Sequence, residues 1–398
     1  MTTGTFRPTL PAERIEQVDI LRGFALFGIL LVNVFGYHAS FYNFGGFYQT
    51  LTDPLQQSVY NWVIGLGADK FIFMFSMLFG FGFWLLYEKF YPNETRFSVF
   101  YVRRMLALML FGALHILLLW AGDILLMYGI LGVILLGIRK WPSWLLKVLM
   151  VVFYYFIAIY LLAMNFIPGL PDPMSSTSNI PLDDVGAVYA NAGYFDILIF
   201  RLNEFVTFRN INMFYYAPKV MALFIGGYLA GRYNLVSELK RRGGKYLIIA
   251  LLLLSIGLFF TFQLDQLGPQ LLNPESPWFG IFYMAAYETG NIFMGLSYIL
   301  LVFLFAATGW GEMILRPLKY AGRMSLTNYL FQSLVFTTIF YGYGFGKFGH
   351  TPPSAFVAWA IILFIIQIVY SRIWLYYYRY GPLELLWRKM SYLRWKRR

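Results

Sequence analysis

The stretch YVRRMLALMLFGALHILLLWAGDILLMYGILGVILLGI, residues 101–138, decides the fold class of this chain. After its two arginines, only His115 and Asp123 bring ionisable groups into a run of largely apolar side chains. A helix of about 20 apolar residues crosses the ~30 Å hydrocarbon core of a bilayer. The stretch is long enough for two such helices, and Ala121-Gly122 marks the turn between them. The sequence therefore predicts a tight transmembrane hairpin with spans at 101–120 and 123–138.

Apolar segments of similar length recur along the chain, in which 59% of the 398 residues are hydrophobic and 13% are charged. This composition excludes a soluble globular protein and indicates an all-α, polytopic transmembrane bundle. No internal repeat or second domain is visible, so residues 1–398 are expected to form one integral-membrane domain. The predicted spans lie near 18–37, 68–88, 101–120, 123–138, 143–167, 217–234, 245–263, 290–308, 324–343 and 354–377.

Basic residues are distributed unevenly between the two sides of this predicted bundle. Ten spans place both termini on one side, whose loops and tails hold 26 of the 31 Lys and Arg residues. The other side holds Lys70, Arg201, Arg209, Lys219 and Lys347. The positive-inside rule then predicts cytoplasmic termini. The net charge of +12 follows from topology and from attraction to anionic lipids, and we expect no nucleic-acid partner.

Three segments lie outside the predicted spans. Residues 1–17 form a short cytoplasmic arm with no cleavable signal. Residues 168–216 form the longest loop, which is predicted to be external and to contain interfacial amphipathic helices. Residues 378–398 alternate Trp and Leu with basic residues, a pattern typical of an amphipathic helix on the inner leaflet.

Several kinds of chemistry are disfavoured by the residues that the chain lacks. It contains no cysteine, which excludes disulfides and a thiol nucleophile. It has no metal-ligand spacing, P-loop, G-x-S-x-G motif or dinucleotide fingerprint. No serine stands out beside a base, so a hydrolase triad is not predicted. We expect no metal cofactor.

His115 and Asp123 are the most informative polar residues, because ionisable groups within hydrocarbon are costly and are usually functional. Asp123 begins the second helix of the hairpin, where a carboxylate caps free N–H groups and meets the positive end of the helix dipole. His115 lies roughly 9–10 Å deeper, level with Tyr128 on the descending helix. We expect Tyr128 to fix the imidazole tautomer and Asp123 to act at longer range, with a packed core histidine as the competing interpretation.

Other polar residues are expected in the same outer half of the bundle. Asn33 lies near the outer end of the first span, and His38 lies just beyond it. Lys70 opens the second span, where it either neutralises an anion in a cavity or snorkels outward. Asn328 and Gln332 share one helix face, which serves either a substrate or hydrogen bonds between helices.

Five segments of the chain are familiar in combination. They are VDILRGFALFGILLVN (18–33), DKFIFMFSMLFGFG (69–82), FGALHILLLWAGDILLMYGILG (111–132), GRMSLTNYLFQS (322–333) and YYRYGPLELLWRK (377–389). Together they resemble the YeiB family of bacterial inner-membrane proteins. That family is grouped with transmembrane acyltransferases, among them the enzyme that acetylates heparan glucosamine across the lysosomal membrane. The shared element is D-x-x-R-G in the first span, followed by an apolar stretch and V-N.

The resemblance implies a multi-pass protein of the bacterial inner membrane that transfers acyl groups. In the lysosomal enzyme the proposed catalytic histidine follows the first span, a position to which His38 is only loosely comparable. Our leading hypothesis is therefore a transmembrane acyltransferase in which His115 is the general base or a transient nucleophile. Tyr128 and Asp123 would tune its basicity, and Asn33 or Asn328 would donate to the developing oxyanion.

The donor in this hypothesis is an acyl-CoA, with acetyl-CoA expected, that binds from the cytoplasm. Its phosphates would meet the cations Arg22, Arg103, Arg104, Lys319 and Arg323. The acceptor would be a hydroxyl or amine of an external sugar, lipid or envelope polymer, in contact with Lys70, Asn328, Gln332 and His38. Membrane lipids are expected partners. The sequence is compatible with a monomer or a homodimer.

Two other classes of function are compatible with the same residues. A small-solute transporter would use them to line a pathway, but the two related halves that are common in transporters are not visible. A membrane scaffold or sensor would bind a partner through the external loops.

Overall fold

The computed structural model describes residues 14–40, 48, 51–90, 94–170, 182–208, 211–271, 276 and 278–392. Within these residues the chain forms helices and no strand, in agreement with the all-α class predicted above. Parts of three predicted segments lie outside the described residues. They are residues 1–13 of the arm, 171–181 and 209–210 of the long loop, and 393–398 of the tail.

The helices are numbered here in chain order. They are α1 (Glu16–His38), α2 (Pro54–Gly67), α3 (Lys70–Phe90), α4 (Glu94–Leu118), α5 (Leu125–Ile138), α6 (Ser143–Tyr154), α7 (Phe156–Met164), α8 (Leu182–Asn191), α9 (Tyr194–Thr207), α10 (Ala217–Arg232), α11 (Leu235–Arg241), α12 (Gly243–Leu271), α13 (Phe279–Ala306), α14 (Gly309–Leu315), α15 (Leu318–Arg323), α16 (Ser325–Phe340), α17 (Pro353–Tyr377) and α18 (Pro382–Tyr392). A π-helical turn, Asn212–Tyr216, precedes α10.

In the described part of the chain, six helical segments are long and apolar enough to cross a membrane. They are α1, the segment Pro54–Phe90 that contains α2 and α3, α4, α12, α13 and α17. The pair α6 and α7, bent by 62°, is a candidate for a seventh. The other predicted spans correspond to α5, α10 and α16, which have 14, 16 and 16 residues. The helices match the predicted segments in position, whereas ten full crossings and cytoplasmic termini stay predictions.

The helices differ sharply in how much of their surface faces other protein. Only 11% of the most apolar part of α12 is buried, and Ile248 and Leu252 are 63% and 58% exposed. Apolar surface of this extent is typical of a lipid-facing helix. In contrast, 67% of the corresponding part of α1 is buried. α1 contacts α2, α3, α13, α15, α16 and α17, so the first span forms the centre of the bundle.

Close helix packing depends on glycine where α3 crosses α10. A Cβ at Gly80 would lie 2.1 Å from the carbonyl oxygen of Phe224, and one at Gly227 would lie 1.9 Å from that of Met77. No side chain fits at such distances, so the two backbones approach only because both positions are glycine. Gly80 and Gly227 therefore serve close packing between α3 and α10.

The long loop folds partly over the tip of the predicted hairpin. Residues 182–207 contain α8 and α9, in agreement with the helices predicted there. Arg201 on α9 is fully buried and donates hydrogen bonds to the carbonyl oxygens of Leu117 and Leu119. Glu204 accepts hydrogen bonds from Ser40 and Tyr189. Since these side chains satisfy groups of the bundle, α9 is docked on protein and does not merely lie in the bilayer interface.

The tail helix α18 is likewise docked on the bundle, against α4 and α16. The indole Nε1 of Trp387 donates to the carbonyl oxygen of Arg104 at 2.7 Å. The carboxylate of Glu384 accepts from the backbone N–H groups of Leu326 and Thr327 at 2.8 and 3.0 Å, and so caps α16. The prediction of a helix was correct, but α18 packs into the protein because these polar contacts fix it there.

Candidate functional site

The turn of the hairpin places Asp123 at the N-terminus of α5. Its Oδ2 accepts a hydrogen bond from the backbone N–H of Leu126 at 2.7 Å, which is the capping contact that the sequence predicts. α4 approaches this turn closely at Gly112. A Cβ there would lie 2.3 Å from the nitrogen of Leu126 and 2.7 Å from Asp123 Oδ2. Glycine at 112 therefore lets the carboxylate reach across to α4.

His115 and Asp123 are directly hydrogen-bonded. The ring Nδ1 of His115 lies 2.9 Å from Asp123 Oδ1, and both side chains are fully buried. The expectation that Asp123 acts only at longer range is therefore wrong. It assumed two helices that are symmetric about residues 121 and 122. In the structure α4 ends at Leu118 and α5 begins at Leu125, so the non-helical turn brings Asp123 back toward the imidazole.

The second ring nitrogen of His115 contacts a serine that the sequence analysis missed. Nε2 lies 2.8 Å from Ser333 Oγ on α16, and the same Oγ lies 2.8 Å from the hydroxyl of Tyr37 on α1. Tyr37 is also in contact with the side chain of Asn33. Ser325, Tyr329 and Ser333 follow a four-residue spacing and so share one face of α16, but nothing in the sequence shows that this face meets α4.

Asp123, His115 and Ser333 thus form a hydrogen-bonded series of carboxylate, imidazole and hydroxyl, in the order found in serine hydrolases. The prediction that no serine lies beside a base is corrected, because Ser333 reaches His115 from a helix more than 200 positions away in sequence. The imidazole is fully buried, and its ring centre lies 5.2 Å from that of Tyr329 and 6.4 Å from that of Trp120. In the described structure this series is enclosed by protein and does not open onto the cavity described below.

Tyr128 does not serve as the partner of His115. Its hydroxyl lies 2.6 Å from Ser76 Oγ on α3, and both ring nitrogens of His115 are engaged elsewhere. The ring of Tyr128 packs edge-on against Phe79, with centres 5.2 Å apart. Tyr128 therefore forms part of an aromatic layer beneath the site and does not orient the imidazole.

His38 is separate from His115 and is held in an aromatic pocket. Its Nε2 accepts from the backbone N–H of Thr351 at 3.3 Å, and its Nδ1 lies 3.3 Å from the hydroxyl of Tyr48. The ring centre of Phe356 is 4.8 Å away. These contacts are typical of a structural histidine, and the structure does not bring His38 to the Asp123–His115–Ser333 series.

Asn328 and Gln332 are directed toward α17. Asn328 Nδ2 donates to the carbonyl oxygen of Ala321 at 3.2 Å and to Ser371 Oγ at 3.1 Å. Gln332 Nε2 donates to Gln367 Oε1 at 2.8 Å. Both N–H groups of Asn328 are thereby used, so that it is not placed to donate to an oxyanion beside His115. Of the two roles considered for Asn328 and Gln332, the structure shows hydrogen bonding between helices.

Lys70 lies in a buried cluster of charges at the start of α3. Lys219 Nζ lies 3.3 Å from Asp69 Oδ2 and 2.6 Å from Glu288 Oε1, and it is 3% exposed. Lys70 is 1% exposed and lies within 5.8 Å of the ring centre of Tyr287. It is therefore buried among compensating charges and does not snorkel outward.

Asp69 lies in the connection between α2 and α3. It adopts φ 64°, a left-handed conformation that is uncommon outside glycine and Asn.

A cavity of about 440 Å³ opens at the end of the bundle where α18 docks. Among the residues that the structure describes, six basic side chains and three carboxylates line it, so this part of the wall carries an excess of positive charge. The basic residues are Arg14, Arg22, Lys89, Arg104, Arg323 and Arg388, and the acidic ones are Asp19, Glu88 and Glu384. We call this space the basic cavity. Its inner end is apolar and includes Phe75 and Phe79.

The cations of the basic cavity are held in place by stacking and by ion pairs. The guanidinium of Arg104 lies 3.5 Å from the ring centre of Trp387, and that of Arg388 lies 4.1 Å from that of Tyr380. Arg22 Nη1 lies 3.1 Å from Asp19 Oδ1. Burial lowers the pKa of Arg388 and of Arg323, in each case with a further lowering by nearby Arg14. A bound anion would offset the cost of burying these charges.

Three of the five cations predicted to bind the donor line the basic cavity, namely Arg22, Arg104 and Arg323. Arg103 is exposed and does not line it. Lys319 forms an ion pair with Glu16 and is also outside the lining. In a helix, neighbouring residues point about 100° apart, which explains why only one of the two adjacent arginines faces the cavity.

Comparisons with known proteins place the chain in a family. A family described as "Protein of unknown function (DUF418)" matches residues 230–394. The chain is 32% identical to the "Uncharacterized protein YxaH" of Bacillus subtilis (strain 168), over 99% of this chain and 98% of that protein. It is 29% identical to the "Uncharacterized protein YeiB" of Escherichia coli (strain K12), over 95% and 96%. The chain therefore belongs to the YeiB-like family of DUF418 membrane proteins.

Proposed function

We propose that this protein is a transmembrane acyltransferase, which moves an acyl group from an acyl-CoA to a hydroxyl or amine on the opposite side of the membrane. The observation that carries the proposal is the buried hydrogen bond between His115 and Asp123. A carboxylate on Nδ1 leaves Nε2 as the basic nitrogen and stabilises the ring once it is protonated. Enclosure by protein strengthens this interaction, because there is little water to screen it.

The basic cavity supports the donor half of the proposal. Coenzyme A carries a diphosphate and a further phosphate, and arginine binds such groups through paired hydrogen bonds. The polar rim with Arg104, Arg323 and Arg388 suits the phosphates, whereas the apolar end with Phe75 and Phe79 suits the acyl chain. With the orientation predicted from the basic loops, this cavity faces the cytoplasm, where acyl-CoA is found.

An aromatic layer separates the basic cavity from the Asp123–His115–Ser333 series. Phe79 lines the cavity and packs on Tyr128, which lies in the first turn of α5, just after the hairpin turn that holds Asp123. In this proposal the rings of Phe79 and Tyr128 move when a donor binds, so that the thioester carbon reaches His115. Such an enclosed site would also limit hydrolysis of the thioester by water.

Release of CoA from acetyl-CoA by purified protein in detergent tests this proposal. Because the chain has no cysteine, a thiol reagent reports the released CoA without background from the protein. Wild type is expected to release CoA, and the rate should rise when extracts of the cell envelope supply an acceptor. His115→Ala should abolish release, while His350→Ala, in an exposed loop, should not alter it. Equal rates for wild type and His115→Ala would refute the proposed role of His115.

A further inference from the structure

Ser333 makes its shortest hydrogen bonds to other helices and not to its own. Ser98, Ser255 and Ser391 donate to the carbonyl four residues earlier, at 3.0, 3.0 and 2.7 Å. Ser76 and Ser297 instead bond to neighbouring helices, as Ser333 does. Ser333 Oγ lies 3.5 Å from the corresponding oxygen of Tyr329 and only 2.8 Å from His115 Nε2. Its proton is thus directed to the imidazole and not to its own helix.

The directions of the hydrogen bonds in this series follow from the Asp123 carboxylate. Asp123 Oδ1 accepts, so in the neutral imidazole that a general base requires, His115 Nδ1 carries the proton and Nε2 has a lone pair. Ser333 must then donate its only proton to Nε2. The Tyr37 hydroxyl, 2.8 Å away, must in turn donate to Ser333 Oγ. In this tautomer the hydrogen bonds are directed so that His115 can remove the proton of Ser333.

We propose that Ser333 is the nucleophile that carries the acyl group between donor and acceptor. The inference rests on the proposed acyltransferase function and adds a covalent intermediate to it. Ser333 Oγ attacks the thioester carbon, its proton passes to His115 Nε2, and the carbon–sulfur bond breaks. The proton on Nε2 then goes to the departing thiolate, so the products are CoA and an acyl ester of Ser333.

The second half of the reaction reverses the roles of the same groups. An acceptor hydroxyl or amine attacks the ester carbon and gives its proton to His115 Nε2. The bond from carbon to Ser333 Oγ breaks, and Nε2 returns the proton to Oγ. Ser333 and His115 are regenerated, and the acyl group is on the acceptor.

A covalent relay suits the position of Ser333 along α16. Ser325, the first residue of this helix, lines the basic cavity, and Ser333 lies eight residues further on, about 12 Å deeper by helical rise. α8 and α9 lie beyond the hairpin on the other side. If Ser333 holds the acyl group, the donor can leave the basic cavity before the acceptor arrives from the other direction.

The test is incubation of wild-type protein with acetyl-CoA and no acceptor, followed by mass spectrometry of its peptides. One acetyl group is expected on the peptide that contains Ser333, with release of one equivalent of CoA. Ser333→Ala should lose both the acetyl group and the transfer activity. Ser255→Ala, a helical serine bonded to its own backbone, is the matched control and should behave like wild type.

Ser333→Cys keeps a nucleophile at this position and places the only thiol in the chain there, so it should be acetylated as a thioester that hydroxylamine removes. If His115→Ala loses transfer while Ser333→Ala keeps the wild-type rate, transfer is direct, the inference about Ser333 is wrong and the proposed function stands. If wild type neither releases CoA nor transfers acetyl groups, both are wrong. An acetyl group found on His115 and not on Ser333 also overturns the inference.

Discussion

Asp123→Asn is the substitution that tests the Asp123–His115–Ser333 series most sharply. Asp123 uses one oxygen to accept from Leu126 N–H and the other to accept from His115 Nδ1. The amide of Asn offers only one oxygen. If that oxygen keeps the cap on α5, the NH₂ group faces Nδ1, and the imidazole must take the other tautomer. Nε2 then carries a proton and cannot accept that of Ser333.

The expected loss in kcat is about 10³- to 10⁴-fold, since the same exchange in serine proteases, which also imposes the wrong tautomer, costs about 10⁴. The free energy of unfolding should fall by only ~1 kcal/mol, the value of one hydrogen bond. CoA release and thermal unfolding in detergent measure the two effects separately. Asp53→Asn, which alters the cap of α2 away from the site, is the control. A folded Asp123→Asn protein with wild-type kcat would show that the tautomer of His115 does not control transfer.

Three further substitutions test other parts of the structure. Arg104→Ala should raise the KM for acetyl-CoA about tenfold, as expected for a lost arginine–phosphate contact of ~1.4 kcal/mol, whereas exposed Arg103→Ala should not; equal KM values would contradict the placement of the donor. Lys219→Met should lower the free energy of unfolding by about 3–5 kcal/mol, because Asp69 and Glu288 lose their partner inside the protein; an unchanged melting temperature would argue against the cluster. Tyr128→Phe should cost ~1 kcal/mol of stability, from the contact with Ser76, and leave the pH profile of kcat unchanged; a shifted profile would show that Tyr128 does tune His115.

The helical class and the positions of the helices were predictable, because apolar runs near 20 residues are a strong signal. The cap by Asp123 was also predictable, since it depends only on residues next to one another in sequence. The partners of His115 were not. A turn of six non-helical residues displaced Asp123 toward the imidazole, and helical counting across such a turn fails.

Ser333 escaped prediction for a different reason. Its contact with His115 joins α16 to α4, and a single sequence contains no information on which helix faces lie together. The basic cavity could not be predicted for the same reason, since it also depends on which helices lie together. Arg22, Arg104, Arg323 and Arg388 come from four separate helices, and only the docking of α18 brings the last of them to the cavity. The amino-acid composition predicted an excess of positive charge, but only the fold shows that these arginines line one cavity.

Membrane vesicles of opposite orientation provide the most direct test of acyl transfer across the membrane. Acetyl-CoA labelled in its acetyl group is added to inside-out and right-side-out vesicles from cells that produce wild type or His115→Ala. Inside-out vesicles with wild type are expected to incorporate label into envelope material, while the CoA stays outside. His115→Ala vesicles and right-side-out vesicles should not be labelled. Entry of intact CoA into the vesicles would indicate transport, and equal labelling with wild type and His115→Ala would show that His115 does not catalyse acyl transfer.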